Sequence, residues 1–352
     1  MVPRPSDTSA GSETPRDPGV IVSPRGRFSR LRDRRFWVRV ADRLFTGATG
    51  AAALVILGIA TLLVLLLVQS SYPSLTRFGF GFLYGTVWNP NQTVLSPLIF
   101  GALPAIYGTM VIAAIGMLFG VPLSLGIAIF LTELSPGWLR GGLSFVIELL
   151  AAIPSVVYGV WGLIVVVPLM ATTVEPGLHA TLGQLPGLSG VFAAPASGYN
   201  GFSYLTAGII LAIMVIPTIS SVSREAFLVV PNDQREAALS LGATSWETTR
   251  LSVLPYARRG VLGAITLGLG RAIGETIAIV LVVGNSYAIS GSLFSSGTTI
   301  AAFIATEFGE ANGIERAALL ELGLVLLAVS LLINVGARLL VRRGIGPVGG
   351  AE

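Results

Sequence analysis

The sequence predicts an all-α polytopic membrane protein with six transmembrane helices, and three observations lead there. Of its 352 residues 53% are hydrophobic and only 11% charged, and the mean hydropathy of +0.80 lies far from soluble averages. Apolar runs of the ~20 residues that a bilayer crossing requires recur from Gly47 to Leu339. The arginines, finally, crowd into alternate connections between those runs.

Residues 1–45 read as a disordered, basic cytoplasmic N-terminus. Its first part is rich in Pro, Ser, Gly and Arg with almost no large apolar residue, so it lacks the apolar surface that would offset the entropy of folding. From Arg25 to Arg43 the arginines alternate with Phe28, Leu31, Phe36, Trp37 and Val38. Because a crossing follows directly, this pattern indicates a segment held near anionic lipid headgroups and no nucleic-acid partner.

The membrane domain is expected over 46–343, with a short tail at 344–352. The first crossing is Gly47 to Gln69, too long and too far from the start for a signal peptide. A polar and aromatic loop, Ser70 to Pro104, leads to the second, Ala105 to Leu131, which Pro122 should bend. Gly141 to Met170 is expected to be one broken third crossing, interrupted at Pro154-Ser155, with a loop from Ala171 to Ser203. The fourth is Tyr204 to Ser223, followed by a polar loop, 224–259. The fifth is Gly260 to Gly284 and the sixth Ala317 to Leu339, with a short helix expected between them over Thr298 to Phe308. With the N-terminus inside, every arginine except Arg77, Arg271 and Arg316 falls on a cytoplasmic segment or its flank, so both termini are expected in the cytoplasm.

Composition also excludes chemistry. There is no cysteine, and the single histidine, His179, leaves no imidazole cluster for a metal. All basic residues are arginine, so the lysine that a Walker A loop extends to nucleotide phosphates is missing. ATP-driven work would need its nucleotide site on another polypeptide, and this chain is expected to bind no cofactor itself.

Two stretches carry specific chemistry. In the 224–259 loop, Asn232 after Pro231 suits the start of a short helix, and Gly242 suits the left-handed position that would end it. Thr244-Ser-Trp-Glu247 then has the spacing of a capping box. Two short helices at an angle form a knob that a grooved partner could grip. The second stretch is the fifth crossing, which holds Arg271 and Glu275. Counted from Gly260 at 1.5 Å per residue, Arg271 lies roughly 16 Å and Glu275 roughly 22 Å along the helix, within the hydrocarbon. At four residues' spacing they would share a face and could pair. An embedded guanidinium costs on the order of 2.5–3.5 kcal/mol on the insertion scale, so its planar fork of donors needs a return, either an ion pair or a tetrahedral oxyanion. Gly270 and Gly274 have the spacing of a helix-packing pair. In the third crossing, Pro154 must free a backbone carbonyl, and Glu148 and Tyr158 are candidates to line a pathway there.

The run Glu236-Ala237-Ala238, then Gly242, then Leu254-Pro255 resembles the cytoplasmic coupling loop of bacterial ABC importer permeases. Gly268-Leu-Gly-Arg271-Ala-Ile-Gly-Glu275-Thr276 narrows the resemblance to phosphate permeases, and Ile279 to Asn285 to those of PstC type. The resemblance covers residues from about 45 to 340. It implies the type I ABC importer permease fold, a bacterial cytoplasmic membrane location and transport of inorganic phosphate, with Arg271 and Glu275 on the translocation path. It further implies a second permease of PstA type, a dimer of PstB-type ATPase subunits carrying ATP and Mg, and an external PstS-type phosphate-binding protein. Glu236, Ala237, Ala238 and Gly242 would then sit in a cleft on the ATPase. A PstA-type permease shares much of both motifs, and a sulfate or molybdate permease would keep the loop without needing Arg271 and Glu275.

Overall fold

The computed structural model describes residues 25–91 and 98–344, with side chains described between Ala41 and Leu339. Of the expected disordered start only 1–24 lies outside the described residues, as does the tail beyond Gly344; 25–45 is helical and not disordered, because it continues without a break into the first crossing. The chain divides into two units between Leu63 and Val64, inside the first helix. The first unit is the opening part of α1 (Arg25–Phe78), which turns the basic stretch and the first crossing into one continuous helix. Leu54, Ile56 and Leu57 stand exposed on it, as an apolar helix in lipid can.

In the second unit, α1 ends at Phe78 and the short α2 (Gly81–Tyr84) follows. Two-residue strands β1 (Trp88–Asn89) and β2 (Ile99–Phe100) pair antiparallel, Trp88 opposite Phe100. Next come α3 (Leu103–Leu134), α4 (Gly137–Ala152), α5 (Ser155–Gln184) and α6 (Tyr204–Leu228). The knob consists of α7 (Asn232–Ser240) and α8 (Ser245–Thr248). Helices α9 (Leu254–Gly274), α10 (Ile277–Val282), α11 (Ile300–Glu307) and α12 (Gly313–Gly344) complete the chain. Among the described residues, five helices are long and apolar enough to cross a membrane: α1 from Ala41, α3, α5, α6 and α12 up to Leu339.

Helix α6 is the centre of this unit. Ile210, Leu211, Val215 and Ile219 along it are buried, and α3 packs along its length. A hydrophobic drive between helices is weak in lipid, so close packing around small residues must supply the attraction. A side chain at Gly116 of α3 would run into Leu211, and one at Gly208 of α6 into Ile115. Helix α9 packs on α6 in the same manner: Gly260 lies against Ala226, Ala264 is fully buried, and Gly268 lies against Ile219.

Several sequence expectations need correction. The third crossing is not Gly141 to Met170. Ile153 and Pro154 are extended and end α4, and α5 then runs 30 residues without the expected loop at Ala171. The apolar signal past Met170 is diluted by Thr172, Thr173 and Glu175, yet the helix continues through them. The carbonyl freed by Pro154, that of Leu150, receives the Tyr158 hydroxyl at 2.9 Å. The fifth crossing is broken too: α9 ends at Gly274, Glu275 is extended (ψ 129°), and α10 restarts at Ile277. Asn232 lies inside α7 and does not cap it, since Pro231 holds that position with no side-chain bond. Gly274 meets nothing within 4 Å, and the nearest heavy atom to a Cβ on Gly270 would be 3.8 Å away, so the tight glycines of α9 are Gly260 and Gly268 instead.

One regularity was not foreseen. Four π-helical turns end at Leu134, Val166, Val174 and Val253, and each is followed two residues later by proline: Pro136, Pro168, Pro176 and Pro255. A proline ring crowds the carbonyl of the preceding turn and offers no donor. Widening that turn to i→i+5 bonding makes room for the ring.

Candidate functional site: a coupling knob and a cation-lined cavity

The knob is built by local capping. Gly242 closes α7 at φ +86°, the left-handed conformation that glycine adopts without a Cβ penalty. The capping box of α8 is complete. Thr244 Oγ1 accepts from the Glu247 amide at 3.3 Å, and Glu247 Oε2 accepts from the Thr244 amide and hydroxyl, both at 2.8 Å. These bonds hold the Glu247 carboxyl below the usual glutamate range. The Ser252 hydroxyl donates to the Gln234 carbonyl at 2.9 Å and ties the second helical segment to the first. Glu236, Ala237 and Gly242 are exposed and Ala238 is half-buried. Around them the knob presents Leu239, Leu241, Trp246 and Leu251, with Leu241 90% exposed.

One side chain that sequence reading did not single out joins this knob to the membrane helices. Arg235 forks onto Glu133 at the end of α3, at 2.9 and 3.1 Å. It also donates to the carbonyls of Phe227 and Val230, just at and beyond the end of α6, at 2.9 and 2.6 Å. Each of these four bonds leads out of α7. Both side chains are largely buried, 19% exposed for Arg235 and 10% for Glu133. The partners lie 102 residues apart, so no local pattern could have revealed them.

The second site is a cavity of about 1260 Å³ between α6, α9 and α12. Arg259, Gly263, Thr266, Gly270 and Arg271 line it from α9, Thr218 from α6, and Asn334 and Arg338 from α12. The lining residues on α9 recur at three- and four-residue spacing, one face of a helix. Arg271, half-buried on the last turn of α9, donates to the Thr218 hydroxyl at 3.0 Å. It does not pair with Glu275. The break after Gly274 removes the shared face, and the Glu275 carboxylate turns to the next helix, accepting weakly from the Ala278 amide at 3.4 Å. Among the described residues no carboxylate forms an ion pair with Arg271. Glu275 does not line this cavity. Neither do Glu148, exposed on α4, or Tyr158, whose hydroxyl is used at the Pro154 break. Sequence reading placed Arg271 and missed Thr218 and Asn334; it took Arg259 and Arg338 only as markers of orientation.

Residues 120–345 match the family described as binding-protein-dependent transport system inner membrane component. The phosphate transport system permease protein PstC of Haemophilus influenzae is 45% identical over 302 residues, covering 86% of this chain and 93% of that one. PstC of Xylella fastidiosa (strain Temecula1) is 47% identical over 326 residues, covering 93% and 96%. A probable PstC of Methanocaldococcus jannaschii is 33% identical over 268 residues, covering 76% and 82%. Among solved structures, a chain of the bacterial alginate ABC transporter in complex with alginate pentasaccharide-bound periplasmic protein matches with a TM-score of 0.58, covering 88% of this chain and 98% of that chain at 18% identity. That likeness concerns the fold, which is the ABC importer permease fold expected from the sequence. Matched over most of its length by relatives of one kind, the chain belongs to the binding-protein-dependent transport system inner membrane components, and among them to the PstC-type permeases.

Proposed function

We propose that this chain is the PstC-type permease of an ATP-driven importer of inorganic phosphate, and that Arg271 contacts the ion in transit. The observation that carries the site is the unpaired guanidinium of Arg271. It is held by a neutral hydroxyl and faces a cavity whose lining contains three arginines and no acidic residue. An embedded cation with a carboxylate partner would already be neutralised, whereas this one leaves its compensation to a ligand. The planar fork matches a tetrahedral oxyanion. Glu275 sits beyond the helix break, at the far side of Arg271 from the knob, where it can bias entry by accepting a hydrogen bond from a protonated oxyanion.

The rest of the complex follows from the knob. Its exposed leucines and Trp246 suit burial in a cleft of a PstB-type ATPase, which supplies ATP and Mg; no cofactor is assigned to this chain. A PstA-type permease completes the membrane pathway, and a PstS-type protein delivers phosphate from outside. The topology is six crossings with both termini cytoplasmic, α9 and α10 together forming the fifth. Two experiments test this. Phosphate uptake into proteoliposomes containing all partners should fail without the ATPase and fall with Arg271→Lys while the complex still assembles. Single cysteines in this cysteine-free chain should react with an impermeant maleimide from outside at Ser189 and not at Trp246; external labelling at 246 would overturn the topology.

A further inference from the structure

We propose that Arg338, with Asn334 beside it, forms a second anion-binding station on the cytoplasmic side of Arg271, and that Arg259 forms a third at the mouth of the same cavity. The ligand class is a tetrahedral inorganic oxyanion. The inference rests on the translocation reading of Arg271 and extends it from one contact to a descending series.

Arg259, Arg271 and Arg338 line one cavity with no acidic residue among its described lining. Three other arginines near the cytoplasmic side are tied down, Arg235 to Glu133, Arg140 to two carbonyls and Arg224 to Glu225, while the exposed Arg250 has no such tie among the described residues but lies outside the cavity lining. Arg259 and Arg338 have no hydrogen-bond or ion-pair partner among the described residues. Three like charges line one space, with Arg259 and Arg338 exposed and Arg271 half-buried, and an anion within the space would offset their mutual repulsion.

Depth comes next. Asn334 lies across from Gly270: a Cβ on that glycine would stand 3.8 Å from its side-chain nitrogen. In the six-crossing topology α9 runs outward and α12 runs inward. Arg338 is one turn beyond Asn334, which places it level with Thr266, about 8 Å toward the cytoplasm from Arg271 at 1.5 Å per residue. Arg259 lies about 10 Å further along α9 by the same rise. The spacing suits an ion that leaves one fork as it meets the next, because no single site then holds it too tightly to release. Thr266, whose hydroxyl donates to the Gly263 carbonyl, and Asn334, whose amide donates to the Ser330 carbonyl and retains a second N–H, flank the intermediate position, so an oxyanion there meets polar neutral groups and no repelling carboxylate.

The test uses the absence of cysteine. Arg338→Cys is placed in the complete complex, with partner subunits also freed of cysteine, in phosphatidylcholine vesicles. ATP-driven uptake of radiolabelled phosphate should fall by about tenfold, the scale of one charged hydrogen bond. An aminoethyl methanethiosulfonate adduct, which restores a cation, should recover most of it; the neutral hydroxyethyl adduct of similar length should not. Inorganic phosphate should slow modification of the cysteine in the nucleotide-free complex relative to chloride at equal ionic strength. Wild-type uptake by Arg338→Cys, or equal rescue by the neutral adduct, overturns the proposal. So does protection by added phosphatidylglycerol but not by inorganic phosphate, which would make this a lipid-headgroup site. Arg271→Gln run in parallel separates the two levels. If it is inactive while Arg338→Cys is normal, only the series fails; if both transport normally, the translocation reading fails with it.

Discussion

The knob and the cavity treat their charged groups in opposite ways. In the knob, Arg235 makes four bonds and Glu247 is locked into its capping box. In the cavity, Arg271 has one neutral partner and Arg259 and Arg338 have none among the described residues. A part that passes on force must keep its shape while loaded, so its polar groups are satisfied from within. A part proposed to pass on an ion gains from cations that no carboxylate already neutralises, which among the described residues is the state of the three arginines there. The contrast teaches where to look for function in such a chain: in the membrane at unsatisfied cations, and in the loop at satisfied ones.

The comparison can be broken in stages. The largest effect is expected for Arg271→Gln, which should lower phosphate uptake by about 100-fold or more, on the scale of losing a preorganised charged donor in a water-poor site. Co-purification of the complex should persist, because the only bond lost among the described residues is the one from the Arg271 guanidinium to the Thr218 hydroxyl. Loss of assembly in step with loss of uptake would mean that this arginine is structural, like those of the knob.

Next comes Arg235→Ala, which leaves Glu133 nearly buried without its partner. Removal of one member of a buried pair costs about 3–5 kcal/mol, and the residual exposure here sets the expectation at the lower end. ATP hydrolysis by the assembled complex should continue while uptake falls, the signature of a knob no longer fixed to α3 and α6. Adding Glu133→Ala should recover stability, measured by thermal melting, but not uptake. Full recovery of uptake by the double variant would show that the clamp only neutralises charge.

Gly242→Ala should have a smaller effect, about 1–2 kcal/mol from forcing an L side chain into the left-handed region; the open space around Gly242 adds no clash. Gly242→Pro cannot adopt that φ at all and should uncouple the complex while insertion into the membrane stays normal. Normal uptake with Pro at 242 would remove the knob from the coupling path.

The smallest effect belongs to the capping box. Thr244→Ala should loosen α8 by about 1 kcal/mol, read as faster amide exchange at Glu247 and Thr248. Because the Glu247 carboxyl titrates below its ordinary value in the folded knob, its contribution is full above the ordinary glutamate value. It is lost as pH falls through the lowered one. The protection of α8 amides relative to their intrinsic exchange rates should therefore fall selectively in acid, and Glu247→Gln should abolish that pH dependence.

How much of this could be read in advance follows from the range of each interaction. Gly242 and the Thr244–Glu247 box are local, three residues wide or less, and the structure has both where the pattern put them. The apolar runs fixed most of the crossings, since a bilayer length is a strong constraint. The break at Glu275 was hidden by apolar residues on both sides, although Gly274 followed by Glu275-Thr276 has the composition of one helix ending and another starting. Two threonines and a glutamate, Thr172, Thr173 and Glu175, give the last turns of the third crossing the composition of a loop. Glu175 is fully buried inside α5, so polarity there reported protein surroundings and not solvent. The Arg235 clamp and the meeting of Arg271, Arg338 and Asn334 depend on chain distances no pattern spans. For those, only the fold could say which cations share a space.

The widened turn over Thr249–Val253 has a mechanical consequence of its own. It adds a residue to the helix with almost no added length, and each residue is worth about 100° of winding in an α-helix. The extra residue therefore sets the phase between the knob and the stripe of Arg259, Gly263, Thr266, Gly270 and Arg271 that follows on the same rod. Unwound by one residue to ordinary winding, the knob would keep its height against an ATPase but face about a quarter-turn away from its present direction. Pro255 holds the wide turn open and so acts as the pin that keeps the knob and this stripe in register.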